Sequence, residues 1–485
     1  MARYLHLFEN EDDYNAARLN DYKEPWVSAT NLGGGEATPP YRVDYNKSEY
    51  EKLLEKLLET PLTFEIVCGG TLYWYNSGNT GDIKTMEYKL NDGEWTEITS
   101  SKDNDGSGTT IATVITGDII KFRGNNDTYC NFYENRCSCF RNTSDCYFYA
   151  YGNIMSLINY NNFKTNKKLT RDSTFAYLFN NTGIMSHPVK KLLLPATALA
   201  GHCYRGMFQG CTSLANAPEL PATALTNEWT RLVDYCYRGM FQGCTSLEKA
   251  PELPATRLPQ HCYEYMFANC TSLVNAPTLP ATALANYCYR GMFQGCTSLA
   301  NAPELPATAL ADDCYEYMFA DCTSLVNAPE LPVTALAKSC YRDMFQGCTS
   351  LVNAPELPAT TLPQHCYEYM FADCTSLEKA PELPATALAN YCYRYMFSGC
   401  TSLVNAPTLP ATTLALFCYG GMFQGCTSLN YIKCLATDIP ENRCTEEWVR
   451  GVASTGTFVK NASMASWTTG KSGIPTGWTV QDATN

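Results

Sequence analysis

Three rhythms of apolar and polar residues follow one another along this 485-residue chain. Residues 1–60 open with mixed positions in RYLHLFEN, then two short strand-like runs, WVSAT and YRVDYN, around the flexible NLGGGEATPP. KSEYEKLLEKLLET next sets Tyr50, Leu53, Leu54, Leu57 and Leu58 at helical spacing. So small a core predicts a segment that docks on a partner or on copies of itself. Residues 61–148 change to strand patterning: LTFEIVCGG, TLYWYN, TMEYKLNDGEWTEI with a turn at Asn91-Asp92-Gly93, and TTIATVITGDIIKFRG. Short strands at that spacing predict a small β-sandwich. YGNIMSLINYNNF then leads into a third pattern.

That pattern is a repeat. Cys236, Cys262, Cys288, Cys314, Cys340, Cys366, Cys392 and Cys418 lie 26 residues apart, each followed eight residues later by a second cysteine. With Cys203/Cys211 there are nine copies of C-Y-x-x-M-F-x-x-C-T-S-L-x-x-A-P-x-L-P-A-T-x-L. Only the first junction breaks the frame, through seven extra residues around Asn227–Val233. A fixed period with recurring Leu predicts a leucine-rich-repeat solenoid, whose stacked coils share one core. CYRGMFQGC, apolar at 203, 207, 208 and 211, reads as a short buried helix or 3₁₀ turn. APELPATAL, broken by two prolines, reads as a brief extended strand. Phe175, Leu178, Phe179 and Thr182 match the repeat upstream, and Cys444, Trp448 and Val449 match it downstream, as capping units do. The expected fold is mixed α/β, mainly β. Its parts are a docking segment (1–60), the sandwich (61–148), an N-terminal cap (149–202), nine coils (203–432) and a C-terminal cap (433–485).

Composition narrows the function. With 35 basic against 48 acidic residues, the net charge of −13 argues against nucleic acid as a partner. No apolar run approaches the ~18 residues that span a bilayer, so no membrane insertion is expected. MARYLHLFENEDDYN puts Glu9, Glu11, Asp12 and Asp13 where an export signal needs apolar residues, which favours reduced thiols. The repeat cysteines are therefore read as buried packing residues. Cys130, Cys137, Cys139 and Cys146, spaced C-x6-C-x-C-x6-C, remain open between a zinc site and one or two disulfides. The five histidines form no catalytic motif, and no phosphate loop or nucleophile elbow is present, so no enzyme is expected.

Stacking turns each column of the repeat into a stripe, and several stripes are binding candidates. Tyr263, Tyr289, Tyr315, Tyr341 and Tyr367 follow the first Cys; they are either a structural stack or a platform for sugar rings. Arg238, Glu264, Arg290, Glu316, Arg342, Glu368 and Arg394 alternate in sign, which reads as register and solubility. Glu304, Glu330, Glu356 and Glu382 do not alternate; they are solvated, or they meet calcium or a basic partner. No other cofactor is expected. The positions just before the first Cys vary most and include His261 and His365, which suits a recognition surface.

MFQGCTSLANAPELPATAL resembles the leucine-rich repeats of BspA-type surface antigens of gut Bacteroidota and spirochaetes, with a unit longer than usual. YGNIMSLI and the ending ATDIPENRCTEEWVRGVASTGTFVKNASMASWTTGKSGIPTGWTV are similar to segments flanking such repeats in those bacteria and their phages. The opening YLHLFENEDDYNAARLNDYKEPWVSAT…RVDYNK resembles N-terminal segments of structural proteins of Bacteroidota phages, including crAss-like ones. The resemblance implies a non-enzymatic virion adhesin, a fibre or surface decoration. Residues 1–60 would dock on other virion proteins, the repeats would bind cell-surface glycan or protein, and the chain would form a homo-oligomer. The alternative it leaves is an adhesin of the bacterial cell surface.

Overall fold

The computed structural model describes residues 47–76, 85–98, 108–131, 136–223, 225, 234–440, 443–464 and 467–484. The segment before Lys47 and the insertion at Asn227–Val233 lie outside them. Helix α1 spans Lys47–Glu59, as its apolar spacing predicts, and buries Leu57.

Strands β1 (Thr63–Cys68), β2 (Gly70–Tyr75), β3 (Glu87–Leu90), β4 (Thr96–Glu97), β5 (Thr109–Val114) and β6 (Ile119–Arg123) follow. After them come β7 (Cys130–Asn131), β8 (Arg136–Cys137), β9 (Cys139–Asn142) and β10 (Tyr147–Asn153). The short β11 (Ile184–Met185) and β12 (Leu192–Leu193) complete this half. One sheet runs β11-β10-β1-β6-β3-β4, with β12 also on β10, and a second runs β5-β2-β9. The predicted turn is present: Gly93 N–H donates to Leu90 O at 3.0 Å, and Asn91 takes a φ of 51°. Rings from both sheets meet, with Phe140 of β9 at 5.1 Å from Phe64 of β1 and 5.0 Å from Phe122 of β6.

The repeat core departs from the predicted helix. CYRGMFQGC is a run of consecutive turns in which N–H groups alternate between two kinds of partner. Within one repeat, Met292, Gln294 and Cys296 donate three residues back, to Tyr289, Gly291 and Phe293. Between repeats, Tyr289, Gly291, Phe293 and Gly295 donate to Cys314, Glu316, Met318 and Ala320 at 2.8–3.1 Å. Most N–H groups of the run thus find partners without a helix. The geometry needs left-handed backbone at every fourth residue, for example φ of 57° at His202, 57° at Gly206 and 73° at Gly210. Positive φ in the third place of a turn is the type II signature. A four-residue period turns two adjacent side chains inward and the next two outward. Cys203, Tyr204, Met207, Phe208 and Cys211 are buried accordingly.

These inward residues form ladders. Phenylalanine rings stack at spacings from 5.4 Å (Phe179–Phe208) to 5.9 Å (Phe397–Phe423), and Trp448 ends the series. The series starts in the β-rich half, where Phe140 stacks on Phe179 at 5.5 Å. The second cysteine of each repeat donates its S–H to the phenylalanine carbonyl of the preceding one, as Cys296 does to Phe267 O at 3.1 Å. Burial pushes the Cys296 thiol up to about 12, so it stays a protonated packing group, as the recurring Cys predicts.

The proline segment forms no continuous strand. Single parallel bridges join Asn275, Asn301, Asn327 and Asn353 in turn, and others join Arg257, Ala283 and Ala309. Two prolines per unit remove the donors a longer ladder needs. Regular pairing returns at the end, where β13 (Tyr431–Cys434), β14 (Thr457–Lys460) and β15 (Thr479–Asp482) pair in parallel. The inter-repeat bonding continues past the first and last cysteine pairs. Phe175 and Phe179 donate to Cys203 and Met207, and Tyr419 and Phe423 donate to Cys444 and Trp448.

Candidate binding surface

The turn run and the proline segment present two different surfaces, and the candidate residues divide between them. Tyr263, Tyr289, Tyr315, Tyr341 and Tyr367 belong to neither. Each is at most 2% exposed, because the period of four sends it inward beside the cysteine. Their rings stack on one another at 5.8–6.0 Å, and burial raises their hydroxyl pKa values well above the ordinary range or, at Tyr341, strongly upward. A sugar platform is thereby overturned in favour of the structural stack.

The alternating charges lie deeper than a solubility stripe would. Glu264, Glu316 and Glu368 are buried, each between two arginines. Glu316 meets Arg290 at 2.7 Å and Arg342 at 3.2 Å; Glu264 meets Arg238 at 2.7 Å and Arg290 at 3.7 Å. Burial, opposed by the two guanidinium charges, raises the Glu316 pKa. A carboxylate at this depth is held only because both neighbours carry the opposite sign. The column therefore maintains register and is not solvated.

His261 and His365 are part of the same wall. The Nδ1 of each lies 2.7 Å from a carboxylate oxygen, of Glu264 and Glu368 respectively. His261 also stacks between Tyr235 at 4.2 Å and Tyr287 at 4.5 Å, and His365 stacks on Tyr391 at 4.7 Å. Two of the ring's recognition elements are thus used internally. The variable column is a second aromatic stack, interrupted by Asp313 and Ser339.

One residue of this wall breaks the pattern. Asp343 occupies the column held elsewhere by Gly or Tyr, at a φ of 54°. In the ordinary arrangement Tyr265 covers Gly291, where a Cβ would come within 2.3 Å of the ring. Asp343 is 3% exposed, lies 3.2 Å from Arg342 Nε, and has its carboxyl pushed up to about 7 by burial. Sequence reading passed over it.

Of the cysteine cluster, Cys130 and Cys137 are joined by a disulfide across β7 and β8, while Cys139 and Cys146 are buried free thiols. Bonding between the first two removes the four-ligand zinc arrangement. Among the described residues no group of three His, Cys, Asp or Glu is placed to hold a metal ion.

The outer surface left open is the proline side. Glu304, Glu330, Glu356 and Glu382 are all exposed. Thr278 Oγ1 donates to Glu252 Oε2 at 3.3 Å, which shows that this column stacks one repeat on the next. Beside it stand Val274 (47% exposed), Val326, Val352 and Val404, which are among the few exposed large hydrophobics of the described residues. Between consecutive proline segments lies a groove of ≈ 490 Å³, lined from Asn353 to Pro358 on one side and by Lys379, Ala380, Pro381, Glu382 and Pro384 on the other. The valines were missed because L-V-N-A-P reads as core; the signal was their alternation with Ala and Glu at one column.

Residues 204–352 and 312–442 match the family described as BspA type leucine rich repeat region, in six copies. Over these residues the array is similar to a BspA-type repeat region. The match spans just under half of the chain. No curated protein and no solved structure matches. BspA-type repeats are interaction modules without catalytic machinery, which agrees with a wall closed on itself and an opposite face left open. No described helix is long and apolar enough to cross a membrane.

Proposed function

We propose that the nine repeats stack as one solenoid, closed by residues 149–202 and 433–485 and carried on a β-sandwich at 61–148, and that this rod is an adhesin. It binds a cell-surface protein or glycan along its proline side. The observation that carries this is the exposed valine column at Val274, Val326, Val352 and Val404, repeated where a solvated surface needs no apolar residue. Individual contacts there are weak. Several copies on one particle raise avidity by up to ~10²–10⁴ when geometry allows simultaneous contact.

For the location we propose the surface of a gut Bacteroidota phage virion, with residues 1–60 as the attachment to other virion proteins in a homo-oligomer. This reading rests on the resemblance of the opening segment. An adhesin of the bacterial cell surface suits the repeats equally. Mass spectrometry of purified virions and of proteins shaved from cells separates the two: the chain in virions supports the first, and the chain only in the shaved fraction overturns it. The adhesin role itself is tested by binding fluorescent full chain to intact gut bacteria. Loss of binding in Val326→Asp/Val352→Asp is the expected result, and no binding by the unaltered chain to any cell or extracellular matrix sinks the role.

A further inference from the structure

The loop between β11 and β12 joins the β-rich half to the first repeat, and its shape depends on one imidazole. We infer that Ser186–Lys191 is an acid-sensitive strap: protonation of His187 removes the acceptor that holds its backbone, and loosens the link between the sheet of β1 and β10 and the proline side of the first repeat. The strap acts independently of what the rod binds.

On one side the strap is bound to the repeat array. Ser186 Oγ donates to Asn216 O at 3.0 Å and accepts from Asn216 N–H at 2.8 Å, and Lys191 Nζ meets Glu219 at 2.9 Å. On the other side it lies on the sheet. Lys190 Nζ meets Glu65 Oε2 of β1 at 2.7 Å and stands 4.3 Å over the Tyr151 ring of β10. Lys191 O accepts from Gly152 N–H at 3.0 Å, and His187 packs edge-on against Tyr149 at 5.0 Å and Tyr151 at 5.7 Å.

Between these anchors His187 shapes the chain. Its Nδ1 accepts from Val189 N–H at 2.9 Å and from Lys190 N–H at 2.8 Å. Both partners are donors, so Nδ1 carries a lone pair and the ring proton sits on Nε2, 3.7 Å from Glu65 Oε2. An imidazolium has no acceptor on either nitrogen. Charging the ring therefore breaks both backbone bonds, whichever way the ring is turned.

The groups around the ring keep their charges in mild acid. The bond from Lys190 holds the Glu65 carboxyl below its usual range, against burial. Lys190 is held above its own range, against burial, by the same bond. Burial and then the Lys190 charge keep His187 below its ordinary value, opposed by Glu65. A lowered imidazole stabilises the closed strap above about pH 6.5, and that contribution is lost as pH falls through the folded value. Glu65 offsets only part of the new charge, because Lys190 already pairs with it. The release is local. Phe140 still stacks on Phe179 and Phe179 on Phe208, so the two halves stay joined through the ring column while the proline side opens at its base.

The test is hydrogen–deuterium exchange of the full chain, read in peptides spanning β11 to β12 at about pH 7.5 and about pH 5 and corrected for intrinsic rates. Protection there is expected to fall at least about tenfold in acid, as two lost backbone bonds require, while the repeat core around Phe293 keeps its protection. His187→Asn retains an uncharged acceptor, since an Asn side chain also bonds the backbone two residues on, and is expected to lose nothing between the two conditions. Nitrogen NMR of the histidine-labelled parent checks the ring directly: a proton on Nε2 is expected at about pH 7.5, and a proton on Nδ1 there overturns the inference. Protection that is unchanged in acid, or lost equally by the parent and His187→Asn, also overturns it.

Discussion

The turn run and the proline segment share a period but obey opposite rules. On the turn side every second N–H joins the next repeat, and ring, thiol and ion-pair columns occupy the same places. On the proline side one or two isolated bridges per unit join the repeats, and valines and glutamates stand in water. The first side supplies cohesion and leaves little for a ligand. The second contributes little to cohesion and is free to serve recognition. A binding surface of this molecule is therefore found by asking where a repeat spends fewest of its groups on its neighbours.

Substitutions on the two sides should differ accordingly. The largest effect is expected for Phe319→Ala, which opens a void in a fully buried ring column: about 3–5 kcal/mol in chemical denaturation. A loss under about 1 kcal/mol would show that the stack does not carry the fold. Glu316→Ala, which leaves the half-buried Arg290 and Arg342 without their shared carboxylate, should destabilise by about 2–3 kcal/mol; the figure is discounted because both arginines keep contact with water.

Asp343→Asn should act in the opposite direction and only in part of the pH range. Burial raises the folded carboxyl to about 7, above the ~3.9 of an unfolded chain, so folding favours the protonated form. The contribution is fully present below about pH 4 and is lost as pH rises to about 7. The neutral variant should therefore exceed the parent by about 2 kcal/mol at pH 8 and equal it at pH 4. Equal unfolding midpoints at pH 8 would mean that Asp343 is ionised without penalty. Smallest of all, Val352→Ser should change stability by no more than about 0.5 kcal/mol, since it is an exposed position on the loosely joined side. A larger loss would erase the distinction between the two surfaces.

Much of this was legible in the sequence, and the failures share one cause. The 26-residue frame, the capping matches at Phe179 and Trp448, and the packing role of the cysteines follow from spacing alone. The inward tyrosines do not, because a helix places residue 204 away from residue 203, whereas a chain of turns keeps them side by side. A clue was present: Gly206 and Gly210, and Asn269, Asp321 and Asp373 in later copies, are the residue types that accept left-handed backbone. The depth of the Arg–Glu column was hidden for the same reason. The groove was not legible at all, since the two segments that line it are adjacent only after stacking.

The alternation of arginine and glutamate has a consequence for how such a gene changes length. Between Arg238 and Arg394, loss or gain of two adjoining units, 52 residues, restores each charge to an unlike neighbour. Loss of a single unit, such as the one centred on Glu316, would set Arg290 against Arg342. Recombination between near-identical copies should thus be tolerated in even steps, so that the molecule's reach changes in pairs of units.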